Sequence, residues 1–368
     1  MSLQEKSLFV AMELSNKKWK LVFGDGSRDR ERTIDARDEK QLLREVSTAK
    51  EKLDIAAGAR VIFCYEAGRD GFWISRMLTK HGYECDVMDP ASIEVPRRAR
   101  MRKTDRLDAH KLLDLVVRYR LWNQRKAYSV VRVPTEAQEA DMRLHRERQR
   151  LVKEQTGHRT RIKSICNLHG LIVKGLSKMQ VDQLRDWAGQ PLKEPWVEEL
   201  QREQKRLALV EEQIKALESQ QSATLEKAST PAQNKAVKLC KLKAVGHQSA
   251  WLLSHECFGW RVFANRKQLG SFAGLTGTPY DSGDTLREQG ISKAGSGRVR
   301  TTMIELAWGW VRWQPESALT HWFVDHFVRA GTGRSKRKGI VALARKLLIA
   351  LWKYVEQDIV PEGAVLRA

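Results

Sequence analysis

The sequence predicts a mixed α/β N-terminal domain, then a long helical pair, then a mainly α-helical C-terminal domain, with boundaries at 1–125, 126–230 and 231–368. Three observations carry that reading. Short β-branched and aromatic runs in the first 90 or so residues are separated by turn formers and then alternate with amphipathic segments. Two stretches dense in Arg, Glu and Gln follow in the middle of the chain. Apolar residues at helical spacing return after a Ser/Thr/Pro/Gln-rich linker at Ala228 to Gln233. At 368 residues, 42% apolar and 30% charged, the chain is globular and too long for one typical domain.

Leu8 to Glu13, Trp19 to Gly24 and Glu31 to Asp35 read as strands of a meander, punctuated by Ser15-Asn16 and Gly24-Asp25-Gly26. An amphipathic helix at Glu39 to Leu53, a strand at Arg60 to Tyr65, a helix near Gly71 to His81 and a strand at Glu84 to Met88 follow, and a further helix begins near Asp105. The order βββαβαβα implies a mixed sheet covered by helices. Glu136 to Cys166 reads as one extended helix. Pro195 to Lys227 reads as another, with Leu200, Leu207, Val210, Ile214 and Leu217 at coiled-coil spacings. The two stretches fit an antiparallel coiled coil, an element joining subunits, or an ordinary helical hairpin. In the last third, apolar residues flank Gly246 as in a helix-hairpin-helix, although one glycine fits a plain helix turn as well. Residues 270–297 are rich in Gly, Ser and Thr and read as loop. Helices at Arg298 to Trp313 and Ile340 to Tyr354 are joined by a basic loop, GRSKRKG.

Lys and Arg exceed Asp and Glu by 66 − 45 = 21, far more than solubility requires, so a polyanionic partner is expected. Ile340 to Trp352, the best membrane candidate, is interrupted by Arg345 and Lys346, so no membrane span is expected. Leu8 to Leu14 lacks a basic leader and reads as a strand, not a signal peptide. Cysteines 64, 85, 166, 240 and 257 are odd in number and widely spaced, which speaks against a disulfide framework or a zinc site and for a reducing cytoplasm.

Four acids stand where they can converge: Glu13 ending the first strand, Glu66 ending the fourth, and Asp105 with Asp108 on one helical face of KTDRLDAH. Such carboxylates repel one another unless a divalent cation neutralises them, which points to Mg²⁺ or Mn²⁺ and to phosphodiester chemistry. Any one acid alone is more simply a surface charge or a favourable helix N-terminal residue. Just ahead of the two aspartates, Arg97, Arg98, Arg100, Arg102, Lys103 and Arg106 form a run suited to a nucleic-acid backbone. Lys293, Arg298 and Arg300, and Arg334, Lys336, Arg337 and Lys338, extend that basic character. Ser282 precedes Gly283 in the expected loop, where a hydroxyl meets little steric cover, but serine needs help to act as a nucleophile. Ser271, Ser292 and Ser296 compete for that role on composition.

These segments, AMELS, CYEAGRDGFW, KTDRLDAHKL, GLTGTPYDSG followed by GISKAGSGRVR, and GIVALARKLL, resemble the DEDD transposases of bacterial insertion sequences in the order in which that family carries them. The family includes Piv-type invertases and bridge-RNA-guided recombinases. The resemblance covers about Leu8 to Val117 and Leu239 to Trp352. It implies a RuvC-like (RNase H-like) N-terminal domain, a coiled-coil dimerisation element and a C-terminal transposase domain. By matched motifs it makes Glu13, Glu66, Asp105 and Asp108 metal ligands and catalytic residues, and Ser282 the nucleophile of a covalent phosphoserine link to DNA. The partners it implies are DNA, a structured guide RNA and further copies of the chain, as dimer or tetramer, in the bacterial cytoplasm on nucleoid DNA. One departure stands out: the family's first acid is usually aspartate, and Glu13 carries an extra methylene that moves the carboxylate by roughly 1.5 Å.

Three other readings compete. An actin-like or sugar-kinase ATPase needs a phosphate-binding glycine after the first acid, where this chain has Leu14 and Ser15. A RuvC-like junction nuclease accounts for the acids and leaves the C-terminal block without a task. A catalytically decayed DNA- or RNA-binding protein would bind in a salt-dependent way and cut nothing.

Overall fold

The computed structural model describes residues 6–93, 105–282, 285–329 and 331–367, with the side chains of 91, 105–107 and 279–289 excepted. The chain forms two compact units, 1–134 and 135–368. No described helix is long and apolar enough to cross a membrane.

In the first unit the meander expected from sequence is present as β1 (Leu8–Leu14), β2 (Lys18–Gly24) and β3 (Asp29–Asp35), each antiparallel to the next. β4 (Val61–Glu66) and β5 (Glu84–Met88) add parallel strands on the other side of β1, giving the order β3-β2-β1-β4-β5. β1 is thus central, which is why its residues Leu8 to Met12 are all buried and the strand reads as a continuous apolar run. Strand alternation divides the sheet's side chains between two cores. Leu8, Val10, Met12, Trp19, Phe63 and Tyr65 pack with Leu42 and Val46 of α1 (Glu39–Lys52) and Ile74 and Leu78 of α2 (Trp73–Lys80). Phe9, Ala11, Val22, Ile62 and Cys64 face the other way and pack with Ala109, Leu112, Leu113 and Val116 of α3 (Asp105–Arg120). Asp38 starts α1 by accepting from the Gln41 backbone N–H at 2.8 Å. After α3 the chain returns along β5, where Val131 N–H donates to Val87 O at 2.7 Å and covers the sheet edge.

The second unit begins with α4 (Glu136–Leu168), whose Thr135–Gln138 capping box fixes its start. α5 (Glu194–Glu226) runs back antiparallel to it within the same chain. Ile162, Ile165 and Cys166 meet Leu200 and Leu207 at one end of the pair, and Leu151 meets Val210 and Ile214 further along. Ion pairs Arg161–Glu199, Arg159–Glu211 and Arg148–Glu218 flank the seam in the same antiparallel order. The rest of the unit is mainly helical: α6 (Pro231–Cys240), α7 (His247–Leu253) continuing into a π-helical turn at Ser254–Phe258, α8 (Arg266–Phe272), α9 (Gly297–Trp313), α10 (Ala318–Phe323) with a second π turn at Val324–Val328, and α11 (Gly333–Gln357). Their shared core holds Trp251 and Trp310, both fully buried. Gly339 lets α11 approach the second π turn, because a Cβ there would lie 2.3 Å from the Phe327 ring.

Two sequence expectations are corrected here. Residues 270–297 are not all loop: α8 reaches Phe272, and β6 (Gly277–Ser282) pairs antiparallel with β7 (Thr285–Ile291). Thr276, Thr278, Tyr280 and Thr285 have the β-favouring side chains that the glycine content concealed. The basic segment GRSKRKG is the opening of α11, with Thr332 accepting from the Ser335 backbone N–H, so the loop expected between helices ends before Arg334.

A buried polar cluster joins α4 to the first π turn. His145 is 4% exposed, with neither ring nitrogen hydrogen-bonded, and faces Glu256, Arg148, Arg298 and His255. Burial, reinforced by the cations and opposed by Glu256, pushes its pKa down to about 4, and burial also lowers that of His255. The folded state therefore holds His145 neutral while the unfolded chain takes up a proton near pH 6.5. Stability is complete above that pH and falls as pH drops toward 4, by about 3 kcal/mol for His145. Urea midpoints should fall between pH 7 and pH 5 and do so less in His145→Leu; equal slopes in the two proteins would refute the assignment.

Candidate active site

The candidate acids of the first unit are placed by strand register and helix direction. Met12 of β1 stands beside Tyr65 of the parallel strand β4, so the next residues, Glu13 and Glu66, are neighbours at the same sheet edge. Glu13 continues the series Phe9, Ala11, and Glu66 continues Ile62, Cys64; both acids therefore belong to the face that α3 covers. Helix α3 runs antiparallel to β1. Its Leu113 lies against Gly24, which pairs with Phe9 near the start of β1, and Arg120 at its C-terminus grips Glu84 and Asp86 of β5. The N-terminal turn of α3, with Asp105 and Asp108, is thereby directed toward the edge that carries Glu13 and Glu66. Leu112 lies over Cys64, whose thiol donates to the Leu112 carbonyl at 3.6 Å, and Asp108 is one turn earlier on the same helix.

Local structure holds this edge. The buried Tyr65 hydroxyl donates to Gly71 O at 3.0 Å, and burial raises its pKa well above the usual phenol range. Ala67 N–H donates to Met88 O at 2.8 Å, so the chain leaving Glu66 is fixed from both sides. Glu66 is exposed, while Glu13 and Asp108 are half-buried, which leaves the edge open to a large substrate. The structure adds two residues that the sequence reading did not single out. Lys20 lies opposite Glu13 across the β1–β2 ladder and 3.6 Å from Glu31. His110, two residues past Asp108, reaches Asp29 at 3.3 Å and Glu31 at 3.4 Å. A lone lysine in a strand and a lone histidine in a helix gave no signal of this placement.

Carboxylates on two strand ends and one helix turn are the hard oxygen donors that a divalent cation of the Mg²⁺ class takes, so the donor chemistry fits. Among the described residues, no three Asp, Glu, His or Cys side chains come close enough to hold a metal ion between them. The Asp105 and Arg106 side chains, and Arg97, Arg98, Arg100, Arg102 and Lys103 altogether, lie outside the described residues.

Ser282 belongs to the second unit. It is the last residue of β6, opposite Thr285 at the tip of the β6–β7 hairpin. The hairpin's base is tightly fastened: Ser292 N–H donates to Thr276 O at 2.8 Å and Ser296 N–H to Phe272 O at 2.7 Å. Gly274 has φ +64°, and a Cβ there would sit 2.3 Å from Ala294 O. The Arg300 guanidinium donates to Ala273 O at 3.3 Å and Lys293 O at 3.0 Å, tying α9 to that base. Two of the competing serines have structural tasks. Ser296 caps α9 by accepting from Val299 N–H, and the Ser292 hydroxyl lies 3.4 Å from that of Thr276. Of the remaining basic residues, Lys293 and Arg298 are exposed, and Arg334, Lys336, Arg337 and Lys338 are exposed on the opening turns of α11.

The segment 236–321, which runs from α6 through the hairpin into α10, matches the model of the "Transposase IS116/IS110/IS902 family". Two proteins of Sinorhizobium fredii are similar over longer stretches. "Putative transposase y4rJ" is 37% identical over 377 residues, covering 98% of this chain and 95% of that protein. "Putative transposase y4qE" is 31% identical over 254 residues, covering 67% of this chain and 58% of that protein. With a segment model matched around the hairpin and a relative aligned over nearly its whole length, the chain belongs to the IS116/IS110/IS902 family of insertion-sequence transposases.

Proposed function

We propose that this transposase recombines DNA through a covalent phosphoserine intermediate, with the acid edge of an RNase H-like first unit and the hairpin serine of the second acting in one reaction. The observation that carries the reading is the strand register that sets Glu13 beside Glu66 at one sheet edge, on the face that α3 covers. The strand order β3-β2-β1-β4-β5, with an antiparallel meander followed by parallel strands, supports the RNase H-like (RuvC-like) assignment. Glu13, Glu66, Asp105 and Asp108 would hold Mg²⁺ or Mn²⁺. When bound, such an ion stabilises charge on the oxygens of a phosphodiester.

The chain's own residues do the rest. The Ser282 oxygen forms a bond to phosphorus as the bond from phosphorus to one deoxyribose oxygen breaks; the serine loses its proton and the departing hydroxyl gains one. One phosphodiester replaces another, so the step needs no external energy source and can run backwards with a different strand. Position at the hairpin tip suits that role, because β6 and β7 present the residue while the fastened base keeps the tip oriented. The cations Arg334, Lys336, Arg337 and Lys338 open α11 with no acid in its first turn, an arrangement that the helix dipole disfavours and that a phosphate backbone relieves. The antiparallel pair α4–α5 serves as the coiled-coil element of a dimer or tetramer, and a structured guide RNA is the further partner, in the bacterial cytoplasm on nucleoid DNA.

The test is a denaturing gel for protein covalently attached to DNA that spans the ends of the protein's own gene, with RNA transcribed from those flanks and Mg²⁺. An adduct is expected with the wild type and none with Ser282→Ala. An adduct that survives Ser282→Ala overturns the nucleophile assignment. Cleavage without an adduct indicates a junction nuclease, and binding without cleavage a decayed copy.

A further inference from the structure

At the end of α3 remote from the acids, the turn Leu121 to Ala127 folds back under the helix C-terminus. Trp122 and Leu121 N–H groups both donate to Val117 O, Gln124 N–H donates to Arg118 O at 2.9 Å, and Asn123 adopts the left-handed conformation with φ 54°. These bonds build a cleft of about 560 Å³, within the usual range for ligand sites, lined chiefly by Arg118, Asn123, Gln124, Arg125 and Lys126. Three cations border it. Their acidic counterpart is Asp114, 3.5 Å from Arg118, while Arg125 donates to the Asn123 side chain at 2.8 Å and stacks on Tyr119 at 4.7 Å. The Trp122 side chain directly precedes the lining residue Asn123 in the chain and is 54% exposed, so its indole face is open to solvent beside the three cations.

We propose that this cleft binds single-stranded nucleic acid, taking a phosphate among Arg118, Arg125 and Lys126 with an adjacent base stacked on Trp122. The inference rests on the reading of the chain as a DNA recombinase and adds a second contact to it, about 20 Å along α3 from Asp108. Cations alone would suit any polyanion. The exposed indole distinguishes the ligand, because base faces are accessible in a single strand and hidden by stacking in a duplex. The side-chain oxygens of Asn123 and Gln124 accept from Arg125 and Arg118, at 2.8 Å each, which leaves their NH2 groups to donate to acceptors on a base edge.

The experiment uses the full chain with fluorescent oligo-uridine, oligo-thymidine and duplex DNA of about a dozen nucleotides each, a length that OB-fold-sized sites accommodate. The single strands carry 4-thio-substituted bases for zero-length photocrosslinking. The crosslinked peptide is expected within residues 119–127, and Trp122→Ala should weaken single-strand binding about tenfold while leaving duplex binding within about twofold. Replacing both Arg125 and Lys126 by Glu should make the salt dependence shallower by about two phosphate contacts. Tighter binding of oligo-uridine identifies an RNA strand, and tighter binding of oligo-thymidine a DNA strand. Crosslinks confined to other peptides, unchanged single-strand affinity in Trp122→Ala, or an equal loss for duplex would each overturn the proposal. Strand cleavage by Asp108→Asn is read separately, so failure of the acid-edge reading leaves this result distinct.

Discussion

Asp108→Asn and Glu66→Gln each lower DNA strand cleavage by about 10³-fold or more, with thermal stability within about 0.5 kcal/mol of wild type. Both changes keep the side chain's size and remove its charge, so they isolate what the carboxylates contribute. Glu66 is exposed at the end of β4 and Asp108 is half-buried in the first turn of α3, so neither supports the core. Loss of activity without loss of fold is the signature of groups that meet the reacting phosphate or the ion beside it. Cleavage measured on nicked and intact DNA substrates over a range of Mg²⁺ would check this, and unchanged cleavage in either variant would remove that acid from the site. Glu13→Asp separates a further possibility. If the longer side chain impairs the site, shortening it raises cleavage; if the site has adapted to glutamate, the same change lowers it.

Much of the first unit was legible because strand and helix signals there are local. Trp19 to Gly24 and Arg60 to Tyr65 carry unbroken apolar and β-branched runs, and the structure has strands at both. The convergence of Glu13 with Glu66 was legible as well, since carboxylates ending two strands meet whenever those strands are parallel neighbours. Their common face depends on register, which a sequence read without its partners does not give: a slip of one residue would turn Glu13 to the α1–α2 side. The hairpin 277–291 was concealed for a different reason. Gly277, Gly283 and Gly290 suggest a loop, and only pairing between β6 and β7 makes strands of the residues between them. The start of α11 was hidden by repulsion, since consecutive cations at a helix N-terminus run against the dipole and read as unstructured. The cluster of His145, His255 and Glu256 left no trace in sequence, because α4 and the π turn are separated by about a hundred residues and meet only in the folded unit.

That cluster is the basis of the other large effect. Arg146 donates from Nε to Glu256 Oε1 at 2.7 Å and from Nη2 to Oε2 at 2.9 Å, a bidentate pair that joins α4 to the π turn. The Glu256 side chain is 8% exposed and that of Arg146 30%, and the hydrogen bonds that Arg146 donates to Glu256 hold the guanidinium pKa above its ordinary value. Arg146→Ala strands the carboxylate where water hardly reaches, and should cost about 3–5 kcal/mol. Glu256→Ala strands an arginine that can still extend toward solvent along its aliphatic stem, so it should cost less. The double variant should be more stable than the two single losses added together, because the second substitution removes a charge that the first left unpaired. Urea denaturation of the four proteins gives the coupling, and strict additivity or a larger loss in Glu256→Ala would refute this account. The functional consequence follows from position. The π turn lies within the family-matched segment 236–321, and α4 begins the helical pair, so this ion pair, together with the packing of Leu144 on the same core, helps fasten the hairpin-bearing module to the element proposed to join subunits. A variant that stays folded at low temperature yet has lost the pair should therefore lose adduct formation before it loses DNA binding.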